Sequence, residues 1–339
     1  MKAALLYAQE DLRLEEIEMP PLEPYGLRIR ILTCGICGSD QRMFFTGPTP
    51  RYINPVILGH EIAAVVTEVG KLAHGYSTGD IVTVAPLIPC MTCPACSHGH
   101  DNLCQQAQVI GCTVHGGMAE FMTIPSRMVM AGGVIHVPEE VDLKAGALTE
   151  LVGCTLHALE GAGGVGPGDR VLIIGDGPIG LTFLQLAKLM GAGYVATSGR
   201  RPGRRELALE LGADEALDAT TVNLADRFSQ SLDQVIVAAS NIEVTAEAVE
   251  LVRPGGHLLL FSGYTYGTTL PLDINLVHYR ELHLHGSIDC TVQDMRRAVG
   301  LLPQLQMEKL VSAAFPLDEA LAAFHASKEL EAVKVVLEP

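Results

Sequence analysis

Val171-Leu-Ile-Ile-Gly175-Asp-Gly177-Pro-Ile-Gly180-Leu-Thr-Phe-Leu-Gln-Leu-Ala-Lys188 decides the architecture of this chain. Four apolar residues run into G-x-G-x-x-G, and an apolar segment with helical spacing follows. The first glycine permits a tight turn, the second lets a pyrophosphate approach the backbone, and the third lets the helix pack closely on the strand. The phosphate then sits on the helix N-terminus. A lone G-x-G-x-x-G is a weak signal, but this one follows a strand, precedes a helix and opens an alternating series. Gly175, Gly177, Pro178, Ile179 and Gly180 are therefore the expected dinucleotide-binding residues.

Working outward, strands are expected at 194–197, 234–238, 257–261 and 282–285, with helices at 205–211 and 242–251. Short apolar strands broken by helices signal a parallel sheet covered on both faces. Upstream, short apolar runs at 2–6, 27–32, 61–69 and 81–84 are punctuated by Gly and Pro, the pattern of irregular β-structure. After residue 290 come two helix-like segments, 291–305 and 317–328, and a last strand at 334–337. The reading is an α/β chain: a β-rich domain over 1–148, a doubly wound Rossmann domain over 149–288, and a C-terminal return, 289–339, to the first domain.

The 339 residues suffice for two domains, and 48% hydrophobic residues exclude wholesale disorder. The net charge of −16 is the wrong sign for a nucleic-acid binder. No run of 18 uncharged apolar residues points to a membrane span. The opening MKAALLYAQEDLRLEE turns acidic before a signal-peptide core could form, so a cytoplasmic protein is expected.

Nine cysteines are present, four of them within fifteen residues. Cys90-Met-Thr-Cys93-Pro-Ala-Cys96 and Cys104 form C-x2-C-x2-C-x7-C. Four thiolates make the preferred tetrahedral shell of Zn²⁺, and the shell is complete, so this site reads as structural. An iron–sulfur cluster is the rival occupant and disulfides a weaker one. A second ligand set is scattered: Cys37 in Cys-Gly-Ser-Asp, His60 and Glu61 in Gly-His-Glu, and Glu150 at the head of an apolar helical run. A thiolate, an imidazole and a carboxylate would leave one position on a zinc ion open for substrate. Each fragment alone is more often core packing; the combination carries the reading. Cys34, Cys112, Cys154 and Cys290 read as small core residues. The other histidines have bland readings, His283 and His285 as a sheet or subunit contact.

The segment Gly59-His60-Glu61-Ile-Ala-Ala-Val-Val-Thr-Glu-Val-Gly70, the four-cysteine loop and the glycine-rich turn resemble, in order, the zinc-containing medium-chain dehydrogenase/reductase superfamily. The chain is similar to its polyol (sorbitol-type) dehydrogenase branch, because Glu150 stands where alcohol dehydrogenases of another branch carry a cysteine ligand. The resemblance implies a GroES-like catalytic domain, a homo-oligomer (tetramer or dimer), and two zinc ions per subunit. It implies a catalytic zinc held by Cys37, His60 and Glu150, with Glu61 beside it as an alternative ligand. The substrate would be a secondary alcohol such as a polyol, sugar alcohol or cyclitol. A zinc-bound hydroxyl loses its proton readily, as zinc lowers bound water from about 15.7 to about 7. Ser39, two residues past Cys37, would relay that proton, although Gly-Ser-Asp is also good turn chemistry. Where relatives often place a histidine relay, this chain has Arg42, which cannot act as a base.

The strand after the glycine turn bears on the cofactor. No Asp or Glu occurs between Gly180 and Glu206, where an acid that selects NAD by its ribose 2′-OH is expected. Ser198, Gly199, Arg200 and Arg201 stand at the strand end instead, with Arg204 and Arg205 following. Small residues leave room for a 2′-phosphate, and guanidinium forks bind it. At an effective dielectric near 20 a charge pair about 4 Å apart is worth at most about 4 kcal/mol, so Arg200, assisted by Arg201 or Arg205, could set a preference for NADP over NAD. The alternatives are an NAD-dependent zinc dehydrogenase for a simple ketone, amino alcohol or threonine-like molecule, and a non-catalytic zinc and nucleotide binder. The latter is expected to have lost a ligand, and none is missing.

Overall fold

The computed structural model describes residues 1–329 and 331–339. It divides into two compact units, Met1–Gly153 with Cys290–Pro339, and Cys154–Asp289.

The second unit is built on six parallel strands in the order Glu215–Asp218, Tyr194–Gly199, Arg170–Ile174, Leu232–Val237, Val252–Leu260, His283–Gly286. The chain starts in the middle, winds one way, then returns and winds the other, so the order reverses beside Arg170–Ile174. Ligands of such sheets bind outside the carboxyl ends of the strands at that reversal. Val171, Leu172 and Ile173 are wholly buried, which is why the strand reads as an unbroken apolar run and not an alternation. Pro178 occupies the first turn of helix Pro178–Leu189, which buries everything from Gly180 to Ala187. A Cβ on Gly180 would lie 1.9 Å from the Gly175 carbonyl oxygen, so only glycine allows this helix to sit so close to its strand.

The first unit centres on a mostly antiparallel sheet, in the order Val134–His136, Ile81–Val84, Glu61–Val69, Leu27–Gly35, Lys334–Glu338, Val311–Pro316. Its register positions the site. Gly35 pairs with Glu61 on one side and with Val336 on the other. The C-terminal strand thus lies beside the strand that leads into Cys37.

Several segments depart from the sequence expectation, the edge strand Glu215–Asp218 among them. Strand Val311–Pro316, which pairs in parallel with the last strand, was not expected, because Val-Ser-Ala-Ala-Phe-Pro has too few large apolar residues to mark an edge strand. The helix expected over 291–305 ends at Leu301, where Pro303 enforces a 3-10 turn. The helix expected over 317–328 shortens to Ala320–Ala326 after a 3-10 turn. Among the described residues no helix is long and apolar enough to cross a membrane.

Candidate metal centres and nucleotide cavity

Cys37 is the N-cap of helix Gly38–Thr46, and His60 closes the loop before strand Glu61–Val69. The Cys37 sulfur, a His60 ring nitrogen and a Glu61 carboxylate oxygen all lie within 4.8 Å of one another. Asp40 ties the two loops together: it accepts the Cys37 N–H at 2.9 Å and the Gly59 N–H at 3.2 Å. Its Oδ1 stands 3.8 Å from His60 Nδ1, an electrostatic contact that orients the ring.

Glu61 is fully buried. Its Oε1 accepts Lys334 Nζ at 2.6 Å, and Lys334, equally enclosed, also donates to the Ile36 carbonyl at 3.2 Å. Its Oε2 has no hydrogen-bond partner among the described residues. That oxygen fills the space of an absent side chain: a Cβ on Gly35 would lie 2.0 Å from it. Burial opposes the charge on Lys334, but Glu61, Cys37 and Glu150 outweigh it and raise its pKa. The same contest at His60, burial against Cys37, Asp40 and Glu150, leaves the imidazole well above its ordinary range. An anionic pocket with a bare carboxylate oxygen, a thiol and an imidazole suits a divalent cation, and sulfur, nitrogen and oxygen are the donors zinc takes.

The cluster does not include Glu150, the second residue of helix Thr149–Gly161, although Glu150 is buried and its charge acts on His60 and Lys334. Ser39 is half-buried at the start of helix Gly38–Thr46, and Arg42 on the same helix is exposed. Sequence reasoning missed Lys334: nothing in the sequence links it to a glutamate 273 residues upstream.

The four-cysteine loop closes as its spacing predicts. The four sulfurs lie within 4.8 Å of one another, with Cys93–Cys96 at 3.5 Å and Cys90–Cys96 at 3.9 Å. Zn–S bonds of about 2.3 Å in a tetrahedron put sulfurs about 3.8 Å apart, between these two values. Cys34, Cys112, Cys154 and Cys290 are buried in the core. The backbone N–H and hydroxyl of Thr92 and the N–H of Cys93 pull the Cys90 thiol down to about 5, which favours the thiolate a metal needs.

In the second unit a cavity of about 660 Å³ opens at the carboxyl ends of strands Arg170–Ile174, Tyr194–Gly199 and Leu232–Val237. Gly175, Ser198, Gly199, Arg200, Arg201 and Arg204 are among its lining residues. Ser198 is buried and its Oγ has no partner among the described residues. Gly177 caps helix Pro178–Leu189, whose first residues are Pro178, Ile179 and Gly180. Arg205 is absent from the lining: its Nη2 lies 3.0 Å from Asp218 and its Nη1 3.4 Å from the Gly199 carbonyl. Arg204, by contrast, lines the cavity.

One acid here escaped the sequence reading. Asp176, inside the glycine motif, is nearly buried and also lines the cavity. Its Oδ2 accepts the Arg201 N–H at 3.0 Å, and its Oδ1 lies 3.9 Å from Arg204 Nη1. An acid therefore reaches the end of strand Tyr194–Gly199 from the preceding turn, with its carboxylate turned to Arg201 and Arg204.

The profile described as alcohol dehydrogenase GroES-like domain matches residues 23–139, and that described as zinc-binding dehydrogenase matches 178–304. The chain is 33% identical to the L-galactonate-5-dehydrogenase of Escherichia coli (strain K12), over 81% of this chain and 79% of that one. It is 31% identical to the L-idonate 5-dehydrogenase of Vitis vinifera, over 80% and 75%. A zinc-binding dehydrogenase from Sinorhizobium meliloti 1021, solved bound to NADP, superposes with a TM-score of 0.92 at 29% identity, covering 100% of this chain and 99% of that one.

Proposed function

The chain belongs to the zinc-containing medium-chain dehydrogenase/reductase superfamily, and from that premise we propose that it moves a hydride between a secondary hydroxyl of a polyol or sugar acid and NADP. The observation that carries the reading is the buried Cys37–His60–Glu61 cluster with its unbonded carboxylate oxygen. Cys37 and His60 would hold the catalytic zinc, with Glu61 as the nearer carboxylate and Glu150 as its alternate. A zinc ion held there would favour the deprotonated substrate hydroxyl, and a bound nicotinamide would supply the hydride acceptor. Asp40 fixes the two loops that carry Cys37 and His60. Lys334 holds Glu61 by one oxygen and leaves the other to the metal. Ser39 accepts the hydroxyl proton and passes it to water or a cofactor hydroxyl, since exposed Arg42 cannot take it. Cys90, Cys93, Cys96 and Cys104 would hold a second, structural zinc.

Arg51 and Tyr52 support a polyhydroxylated, acidic substrate. Both lower the Cys112 thiol against a burial that raises it, as does His60, so a cation and a phenol stand with that thiol. Two relatives are named for sugar acids. For the cofactor, Ser198, Arg200, Arg201 and Arg204 around the cavity support a 2′-phosphate contact. Strand His283–Gly286 leaves an open sheet edge, which supports a homo-oligomer, tetramer or dimer, formed in the cytoplasm. The test is a screen of sugar acids, polyols, sugar phosphates and simple secondary alcohols with NADP and NAD, read by absorbance of the reduced nicotinamide. Turnover of a sugar acid or polyol that prefers NADP and vanishes in Cys37→Ala is expected. Turnover confined to simple ketones or threonine-like molecules with NAD would overturn it.

A further inference from the structure

We propose that Asp176 is a positioning residue for cofactor choice, bracing the Arg200–Arg201 turn from beneath Gly199 so that the arginine forks meet the 2′-phosphate of NADP. The inference rests on the NADP reading above.

The geometry is specific to this pair of residues. Gly199 ends its strand without a side chain, and a Cβ there would lie 2.1 Å from the Asp176 Oδ2. The carboxylate has taken the volume in which a side chain at the strand end would project. From that position it accepts the N–H of Arg201, the N-cap of helix Pro202–Glu210. That helix receives no cap from its own N-cap side chain, so the Asp176 contact is what fixes its entry. On the other side, Arg205 reaches the Gly199 carbonyl and Asp218. The turn carrying Arg200 and Arg201 is thus held from two directions, and Arg204 leans on the same carboxylate.

Two physical effects oppose each other here. As a bare negative charge, Asp176 repels a phosphate, and removing it would tighten NADP binding. As a brace, it holds the turn, and removing it would loosen the clamp. Three arginines line the cavity against two acids, Asp176 and Glu247, so the charge balance still favours an anion and the bracing effect decides. Asparagine separates the two effects, because its amide oxygen can still accept the Arg201 N–H while the charge is gone. Alanine loses both.

The experiment is calorimetric titration of the purified full chain with 2′,5′-ADP and with 5′-AMP. The wild type is expected to favour 2′,5′-ADP by about tenfold or more. Asp176→Ala should lose about tenfold or more for 2′,5′-ADP and less than about threefold for 5′-AMP, while Asp176→Asn stays within about threefold of the wild type for both. Gly199→Ala, whose Cβ cannot coexist with the carboxylate, should mimic Asp176→Ala and add nothing on top of it. Undiminished 2′,5′-ADP binding in Asp176→Ala, or equal weakening of both ligands, overturns the inference alone. A wild type with no preference between the ligands overturns the NADP reading as well. Retained 5′-AMP binding shows that a variant has kept its cavity.

Discussion

Replacing Lys334 by methionine tests whether its ammonium group is what holds the Glu61 carboxylate in the interior. Methionine keeps most of the stem and removes the charge. The pair is 2.6 Å apart, and the two side chains are 4% and 0% exposed, so solvent cannot take over the lost role. Breaking such a pair from one side costs about 3–5 kcal/mol, because a buried charge is left uncompensated. The Ile36 carbonyl loses a donor as well. For a unit of roughly two hundred residues each kcal/mol moves the melting temperature by about 2–4 °C, so the chelator-treated variant should melt roughly 6–20 °C lower. In zinc-saturated buffer the loss should shrink, since the cation offers Glu61 a second partner. Adding Glu61→Gln to Lys334→Met should recover part of the loss, because the uncompensated charge goes with it. Scanning calorimetry of the four proteins, with and without chelator, decides the matter. A melting temperature within about 1 °C of wild type for Lys334→Met would refute the reasoning, as would two single losses that simply add.

Metal analysis of active protein should give two zinc ions per chain, and Cys93→Ala should give one together with a lower melting temperature, since the binding energy of a structural ion is folding energy. Gly35→Ala would put a methyl group on the Glu61 Oε2, so turnover and one zinc should be lost while 5′-AMP binding is retained; unchanged zinc content would contradict the placement of that oxygen. His257, His283 and His285 stack on adjacent strands, with His257 Nδ1 3.2 Å from His285 Nε2. Burial first, and then the mutual repulsion of their charges, lowers the pKa of His257 and of His285. A histidine whose folded pKa is lowered takes up protons more readily when unfolded, so stability should fall as the pH drops below about 6.5 and through the folded values. His285→Gln should flatten that fall relative to wild type in urea titrations between pH 7.5 and 5, and parallel curves would count against it.

The sequence exposes whatever is encoded by spacing along one segment. The glycine turn, the four-cysteine loop and the strand at Glu61–Val69 stand where their patterns put them, because in each the chemistry and the geometry are local. Lys334 and Asp176 were hidden for another reason. Lys334 sits in a strand otherwise read only for its apolar residues, and only the pairing of Val336 with Gly35 brings it to Glu61. Asp176 occupies a variable position of its motif, where the motif itself asks nothing. Strand Tyr194–Gly199 also runs two residues beyond the apolar run, carrying Ser198 and Gly199 into the sheet, where they meet the turn after Ile174.

At each of the two proposed sites a glycine and a distant acid are halves of one device. Gly35 yields its side-chain volume to Glu61, and Gly199 yields its own to Asp176. In both cases one oxygen of the carboxylate is spent on a structural N–H donor, Lys334 in the first and the Arg201 amide in the second. The carboxylate is thereby fixed before any ligand arrives, and a group so fixed loses less entropy on binding than one that must be ordered. The two devices differ in what the second oxygen meets. In Glu61 it has no partner among the described residues and stands with a thiol and an imidazole; in Asp176 it leans towards Arg204. The first arrangement therefore presents negative charge to a cation, while the second spends its negative charge on holding arginines for an anion. The same steric exchange, a missing Cβ for a buried carboxylate, thus supports opposite electrostatic ends, and the sign is set by whether a neighbouring guanidinium claims the second oxygen.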